Sequence, residues 1–188
     1  MVSLHLLQQE NFWEGESMKT ELLIGCGSAR DKRMTVDGKY EWSDLTTLDY
    51  NPDHKPDVVW DLMYPEVLPL QWVDKFDEIH AYEVLEHLGA QGDYKRFFAQ
   101  FSAFHRALKP GGHLLATVPH HKSVWAWGDP SHTRIITPEQ LIFLRQSSYA
   151  EVGKSSMSDF RNIYKADFDI AYQAENDGSF YFILKAIK

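Results

Sequence analysis

The chain has 188 residues, of which 44% are hydrophobic and 24% are charged, a balance typical of one soluble globular domain. Its formal net charge of -8 argues against broad binding to nucleic acid, because clustered Lys and Arg drive such binding. Cys26 is the single cysteine, so no disulfide can form within the chain, and a reducing, cytoplasmic location is expected.

Residues 1–19 are predicted to form a short N-terminal extension before one domain over residues 20–188. The extension lacks the basic start and the apolar run of a signal peptide. No stretch reaches the roughly 18 consecutive apolar residues of a membrane span, so no membrane association is expected. So short an extension leaves little room for a cap over a substrate. We therefore expect an open pocket, or one completed by a second subunit in a homodimer.

The first predicted strand, residues 20–25, runs into a turn that is almost bare of side chains. The turn is Gly25-Cys26-Gly27, and it lies at the carboxyl end of the strand, where open α/β sheets bind ligands. Glycine lets a ligand approach the backbone closely. A plain tight turn remains the alternative for such a pair of glycines.

Acidic residues follow the second and third predicted strands, residues 45–49 and 57–60. Asp49 ends the second strand, where a carboxylate can accept hydrogen bonds from both hydroxyls of a ribose. Asp61-Leu62 follows the third strand and places an acid and an apolar contact where an adenine ring can lie. Together with the glycine turn, these residues predict a nucleoside pocket across the strand ends.

The rest of the chain predicts an α/β sheet. Further strands are expected at residues 76–81 and 113–118, and most strands are continuous apolar runs, which favours parallel strands covered on both faces. The tail predicts an antiparallel hairpin around Asn176-Asp177-Gly178. The sixth strand is left open between residues 150–156 and 167–174.

Two helices are predicted with their termini. One covers residues 93–110, with Phe97, Phe101, Phe104 and Leu108 in one apolar stripe and Pro110-Gly111-Gly112 at its end. The second starts at Thr137-Pro138, where Thr can cap and Pro fits the first turn.

Five segments in order resemble the motifs of class I S-adenosylmethionine-dependent methyltransferases, in particular the small-molecule group often called type 11. They are "LLIGCGSA", "LTTLDYNP", "WDLMY", "FDEIHAYEVLEHL" and "RALKPGGHLLATVPH". The resemblance covers roughly residues 20 to 145. It implies a Rossmann-like, mostly parallel seven-stranded sheet with an antiparallel C-terminal strand and helices on both faces. It also implies S-adenosyl-L-methionine as cofactor and methyl transfer to a small molecule through oxygen or nitrogen.

The resemblance also implies which residues bind the cofactor. The glycine turn would hold the methionine part, Asp49 the ribose and Asp61 with Leu62 the adenine, while Tyr82 and Glu83 would lie beneath the methionine moiety. The implied set is Gly25, Cys26, Gly27, Asp49, Tyr50, Asp61, Leu62, Tyr82 and Glu83.

The chain departs from the family pattern at its first motif. Leu23 stands where the family often has an acid, and Ala29 where it often has a third glycine. The segment after Gly27 is short and polar, so its helix is expected to be brief or irregular. Arg30 is the basic residue nearest the turn and is a candidate partner for the cofactor's carboxylate, with simple exposure as the alternative.

The loop-like segment from Pro119 predicts the rim of a substrate pocket. Histidine suits proton removal from an oxygen nucleophile, so His132 is the first candidate general base, and His120 or His121 the second. A structural role for His132 is the alternative. Trp125 and Trp127 can face the substrate or pack the loop.

No metal site is predicted, because the histidines and glutamates near Glu83 lack the spacing of a zinc-protease helix. Three other functions are alternatives to methyl transfer to a small molecule. A nicotinamide-dependent oxidoreductase expects a third glycine where this chain has Arg30. A non-catalytic module that keeps the fold is conceivable, because Leu23 stands where the family often has an acid. A nucleic-acid methyltransferase is disfavoured by the acidic charge and by the absence of the Asn/Asp-Pro-Pro-Tyr/Phe motif.

Overall fold

The computed structural model describes residues 18–176 and 178–188. Its seven strands are β1 (Thr20–Ile24), β2 (Asp44–Asp49), β3 (Val58–Val59), β4 (Phe76–Tyr82), β5 (Leu108–Pro119), β6 (Phe168–Glu175) and β7 (Ser179–Ala186). Its α-helices are α1 (Tyr94–Ala107), α2 (Trp125–Gly128) and α3 (Pro138–Leu141). Short 3-10 turns span Pro52–His54, Leu85–His87, Ile142–Leu144 and Gln146–Glu151. None of these helices is long and apolar enough to cross a membrane.

The strands form one sheet in the order β3-β2-β1-β4-β5-β7-β6. The first five strands pair in parallel, whereas β7 is antiparallel to both β5 and β6. The predicted fold class, a mostly parallel seven-stranded Rossmann-like sheet, is therefore confirmed. The carboxyl ends of β1, β2 and β4 meet at one edge, which carries the candidate functional site.

Helix α1 covers the first face of the sheet. Asp93 caps it by accepting a hydrogen bond from the Arg96 N–H at 3.0 Å, and its phenylalanines enter the main hydrophobic core. The helix ends at Ala107, three residues before Pro110, because β5 already begins at Leu108. The predicted stripe of Phe97, Phe101 and Phe104 is confirmed as core.

The second face is covered by residues 28–43, which contain no helix. This detail differs from the expectation of helices on both faces. The segment is polar, with no apolar stripe for a helix to bury, and single side chains hold it instead. Lys32 forms ion pairs with Glu21 at 2.5 Å and Glu78 at 3.6 Å, both buried on this face. The N–H of Met34 donates to the Tyr82 hydroxyl at 3.1 Å.

Other element predictions are partly confirmed. The sixth strand is β6, and residues 150–156 contain only an isolated bridge between Val152 and Ser155. Helix α3 starts at Pro138 as predicted but ends after four residues and passes into a 3-10 turn. The residues that follow β4 form only a 3-10 turn, Leu85–His87. The predicted extension over residues 1–19 lies almost wholly outside the described residues.

Candidate functional site

A cleft of about 530 Å³ lies at the carboxyl ends of β1, β2 and β4. Its size is within the range of roughly 300 to 1,000 Å³ that is usual for small-molecule sites. Fifteen residues line it: Gly25, Gly27, Leu48, Asp49, Tyr50, His54, Trp60, Asp61, Leu62, Met63, Glu83, Val84, His87, Leu88 and Ser131. Seven of the predicted cofactor residues therefore line one cleft. They are Gly25, Gly27, Asp49, Tyr50, Asp61, Leu62 and Glu83.

The glycine turn forms one wall of the cleft with bare backbone. Both Gly25 and Gly27 have positive φ, at +59° and +52°, a conformation that glycine adopts without strain. A Cβ on Gly25 would stand 2.5 Å from Cγ2 of Val84, whereas a Cβ on Gly27 would meet nothing within 4 Å. Close packing thus excludes every side chain at Gly25, and backbone conformation alone favours glycine at Gly27.

Asp49 faces the glycine turn from the end of β2. Its Oδ2 accepts a hydrogen bond from the Gly27 N–H at 2.9 Å, and its Oδ1 accepts one from the Asn51 N–H at 2.9 Å. The His54 Nδ1 lies 3.3 Å from Oδ2. The carboxylate is 4% exposed, so it is held rigidly at the cleft wall.

The third-strand end supplies the predicted mixture of acid and apolar surface. Asp61 accepts a hydrogen bond from the Met63 N–H at 2.8 Å through Oδ1, which fixes the turn. Leu62 is buried in the main core, while Met63 and Tyr50 line the cleft with largely exposed side chains. This end of the cleft therefore combines an apolar floor with an acidic edge.

Glu83 follows β4 directly and has a φ of +56°. Non-glycine residues in this left-handed region are uncommon and concentrate at functional sites, where the surrounding structure enforces the strain. The Glu83 N–H donates to the Thr117 carbonyl at 2.9 Å, and Glu83 lines the cleft beside Val84. The conformation of Glu83 directs the chain into the 3-10 turn that carries Glu86 and His87.

Three predicted cofactor residues have side chains outside the cleft. Cys26 packs into the small hydrophobic cluster on the second face, and burial raises the pKa of its thiol. Tyr82 lies on the same face, where burial raises the pKa of its hydroxyl to about 12. Arg30 donates to the carbonyls of His54 and Lys55, at 3.2 and 2.6 Å, and so braces the turn after Asp49.

Two of the three predicted histidine bases lie away from the cleft lining. His120 is buried, and its Nε2 lies 3.4 Å from Oε1 of Glu175 on β6. The ring of His121 lies 4.3 Å from that of His120, and its carbonyl accepts a hydrogen bond from Trp127. His120 therefore ties the loop that follows Pro119, here called the rim loop, to the C-terminal hairpin, whereas His121 contacts residues of the loop itself. Trp125 and Trp127 are 68% and 72% exposed.

His132 lies next to the cleft and contacts a residue that lines it. Its Nδ1 donates to the Trp125 carbonyl at 2.8 Å, and its ring centroid lies 4.7 Å from that of His87. Its Nε2 lies 3.9 Å from Oε1 of Glu86 and 3.8 Å from Oδ2 of Asp129. The structural role predicted as an alternative and a chemical role are both compatible with these contacts.

Glu86 is a buried acid that the sequence did not single out as functional. Burial, together with the nearby negative charges of Glu83 and Asp129, raises the pKa of its carboxyl to about 8. Its backbone carbonyl accepts hydrogen bonds from the N–H groups of Thr133 and Arg134, each at 3.0 Å. The rim loop is thereby fixed to the turn that follows β4.

His54, His87 and Ser131 also line the cleft without having been predicted to do so. For His87 the signal was available, because it follows Glu83 in the motif after β4. Ser131 comes from the rim loop, and only tertiary structure brings it to the cleft.

No protein-family model and no curated protein matches this chain. Several solved structures, however, match its fold. A SAM-dependent methyltransferase from Archaeoglobus fulgidus is 17% identical with a TM-score of 0.54, covering 89% of this chain and 86% of its own. The N-methyltransferase NodS from Bradyrhizobium japonicum WM9, in complex with S-adenosyl-L-homocysteine, is 16% identical with a TM-score of 0.53, covering 92% and 80%. A variant of the 16S rRNA (adenine(1408)-N(1))-methyltransferase from Catenulisporales acidiphilia is 14% identical with a TM-score of 0.50, covering 90% and 85%. The chain therefore has the fold of the S-adenosylmethionine-dependent methyltransferases.

Proposed function

We propose that this protein is an S-adenosylmethionine-dependent methyltransferase that acts on a small molecule through an oxygen or nitrogen nucleophile. The observation that carries the proposal is the cleft at the ends of β1, β2 and β4. There the bare backbone of Gly25 and Gly27 faces the buried carboxylate of Asp49. The fold supports the choice of cofactor, since NodS binds S-adenosyl-L-homocysteine in its solved complex.

The cleft residues fit this cofactor chemically. A carboxylate offers about four acceptor sites, so Asp49 retains capacity for ribose hydroxyls after binding two backbone N–H groups. Leu62 and Met63 supply apolar surface for the adenine, and the Asp61 carboxylate lies at its edge. The Glu83 carboxylate provides negative charge for the cationic groups of the methionine part.

S-adenosylmethionine supplies a methyl group on a positively charged sulfur. The chain must hold the acceptor in line with that methyl group and keep water out. As the bond to the acceptor forms and the carbon–sulfur bond breaks, the proton of a neutral acceptor must leave. His132 is the best placed of the predicted bases to receive it, because its Nδ1 is bound to a carbonyl and its ring contacts His87, which lines the cleft.

The rim loop is the proposed acceptor side of the site. Trp125 and Trp127 are largely exposed there, and aromatic faces attract apolar and cationic groups. The rRNA methyltransferase among the structural neighbours raises nucleic acid as a second acceptor class. The net charge of -8 disfavours it, because phosphate binding requires clustered positive charge.

An acceptor panel tests this function. The purified chain is incubated with S-adenosylmethionine and phenols, hydroxy acids, amines, peptides or total RNA, and formation of S-adenosylhomocysteine is measured. We expect turnover with at least one small-molecule class and none with RNA. Turnover with RNA alone would contradict the small-molecule assignment.

A further inference from the structure

Three potential metal ligands converge where the cofactor cleft meets the rim loop. Glu86 and His87 come from the 3-10 turn after β4, and His132 comes from the rim loop. The Nε2 atoms of His87 and His132 each lie 3.9 Å from Oε1 of Glu86. The sequence predicted no metal site because the residues near Glu83 lack a ligand spacing of their own. The third donor becomes a neighbour only in the folded chain.

Glu86 is the feature that requires explanation. It is 2% exposed, and neither of its carboxylate oxygens has a hydrogen-bond partner among residues 18–176 and 178–188. Buried carboxylates are normally paired with a cation or satisfied by hydrogen bonds, because desolvation is costly. Lys32, by contrast, pairs with the buried Glu21 on the second face. Its Oε1 faces the Nε2 atoms of both imidazoles, and the Glu83 side chain also lies close to the carboxyl group.

Both histidines are held with the same ring nitrogen turned toward Glu86. Nδ1 of His87 donates to the Ser131 carbonyl at 3.2 Å, and Nδ1 of His132 donates to the Trp125 carbonyl at 2.8 Å. A proton on Nδ1 leaves the lone pair of the neutral ring on Nε2. Metal-binding histidines are usually oriented in this way, with the other nitrogen bonded to a carbonyl or a carboxylate.

We propose that Glu86, His87 and His132 bind a divalent transition-metal ion at the acceptor side of the cofactor cleft. Ligand atoms bound to one ion at about 2.0 to 2.2 Å lie roughly 3.0 to 3.5 Å apart. Each histidine Nε2 therefore needs to approach Oε1 of Glu86 by less than about 1 Å, and the three donor atoms already lie within 4.8 Å of one another. Two imidazoles and one carboxylate suit Mn²⁺, Fe²⁺, Co²⁺ or Zn²⁺ and leave coordination positions open. Asp129 Oδ2, 3.8 Å from Nε2 of His132, is the candidate fourth donor.

The role of the metal ion in catalysis rests on the proposed methyltransferase function, and it specifies the class of methyl acceptor. His87 lines the cofactor cleft, so an ion on its Nε2 lies beside the place where the methyl group is transferred. An open coordination position can take an oxygen of the acceptor and favour loss of its proton to solvent. The preferred acceptor is therefore a hydroxyl compound. In the metal-bound protein, Nε2 of His132 binds the metal and cannot also accept the proton of the acceptor. The metal ion then takes over from His132 the activation of the acceptor.

Metal binding is tested with Mn²⁺ alone on the full chain, after treatment with EDTA and dialysis. Free Mn²⁺ is followed by its six-line electron paramagnetic resonance signal, and Zn²⁺ is then added as a competitor. We expect one tight site per chain that Zn²⁺ empties. Glu86→Gln, His87→Gln and His132→Gln should each weaken it by about ten-fold or more. His105→Gln is the matched control, since His105 bonds the distant Ile187 carbonyl, and should leave binding unchanged.

The variants are checked for folding by circular dichroism, and conclusions rest on those that fold. Failure of the wild-type chain to bind Mn²⁺ or Zn²⁺ at millimolar concentration would overturn the proposal, as would unchanged binding in the folded variants. Calorimetry with S-adenosylhomocysteine, without metal, separates this from the proposed function. If the nucleoside binds and the metal does not, only the metal site is rejected. If neither binds, both proposals fail.

Discussion

The N–H of Gly27 donates a 2.9 Å hydrogen bond to Oδ2 of Asp49 and so joins the turn after β1 to the end of β2. The bond closes one side of the cofactor cleft with bare backbone on one wall and a buried acid on the other. Asp49 is thus proposed to act twice, as an anchor for the glycine turn and as an acceptor for a ribose. The Cys26 N–H also donates to the Leu48 carbonyl at 3.2 Å, so the carboxylate and the backbone together fix the two strand ends.

Replacing Gly25 or Gly27 with alanine distinguishes the loss of stability caused by close packing from the loss caused by backbone conformation. Gly25→Ala places a Cβ 2.5 Å from Val84 and forces a left-handed alanine, so we expect a loss of about 2–4 kcal/mol in stability. Gly27→Ala has only the conformational cost, about 1–2 kcal/mol. Urea unfolding measures both. Equal losses would show that the contact with Val84 relaxes freely.

Asp49→Ala should weaken S-adenosylhomocysteine binding by about ten-fold or more, because a hydrogen-bonded charged group typically contributes 1.5–3 kcal/mol. The variant also frees the Gly27 N–H, so a modest loss of thermal stability is expected. Isothermal calorimetry measures the affinity. Asp53→Ala is the matched control, since Asp53 lies nearby but is exposed. Equal affinity in both variants would remove Asp49 from the site.

Lys32→Met should destabilise the protein by about 3–5 kcal/mol, because it leaves Glu21 as a buried charge without its cation. The double variant Lys32→Met with Glu21→Gln should recover part of that loss. Urea unfolding at pH 7 checks both. A single variant as stable as the wild type would show that Lys32 does not hold the irregular segment on the second face.

The same ion pair predicts a loss of stability in acid. Burial alone would raise the pKa of Glu21, but hydrogen bonds from His80, Lys32 and the Ser43 N–H lower it to about 2. A lowered pKa means that the unfolded chain binds more protons, so the free energy of unfolding falls as pH decreases from about 4.5 toward 2. The expected contribution is about 2–3 kcal/mol. Glu21→Gln should lose less stability over that range, and an identical pH profile would contradict the assignment.

His132→Gln should reduce turnover by about 100-fold or more while S-adenosylhomocysteine binding stays within a few-fold. The expectation holds whether Nε2 accepts the proton or binds the metal, because both uses need the same lone pair. Steady-state kinetics with an acceptor from the panel and calorimetry provide the two readouts. His105→Gln again serves as control. Unchanged turnover in His132→Gln would leave it a structural role only.

The sheet and the strand-end residues could be predicted because their signals are local. Continuous apolar strands indicated a parallel sheet, and the positions of Gly25, Asp49 and Asp61 after those strands indicated one edge. The Tyr82 side chain lies on the second face and not in the cleft, because side chains alternate along β4 and Tyr82 shares that face with Glu78 and His80. Cys26 packs into the small hydrophobic cluster on that face.

The missed parts of the site depend on tertiary contacts. Glu86 and His87 gain their position from the 3-10 turn Leu85–His87, and the strained backbone of Glu83 starts that turn. Their third neighbour, His132, arrives on a loop fixed by backbone hydrogen bonds to Glu86. No periodicity in the sequence encodes this contact, so the cluster becomes visible only in the folded chain.

Calorimetry with the metal-free chain of 188 residues tests the central claim most directly, using S-adenosylhomocysteine in one titration and NAD in another. We predict one S-adenosylhomocysteine site per chain, weakened in Asp49→Ala, and no binding of NAD. Binding of NAD without S-adenosylhomocysteine, or of neither, would contradict the assignment of this cleft to a methyl donor.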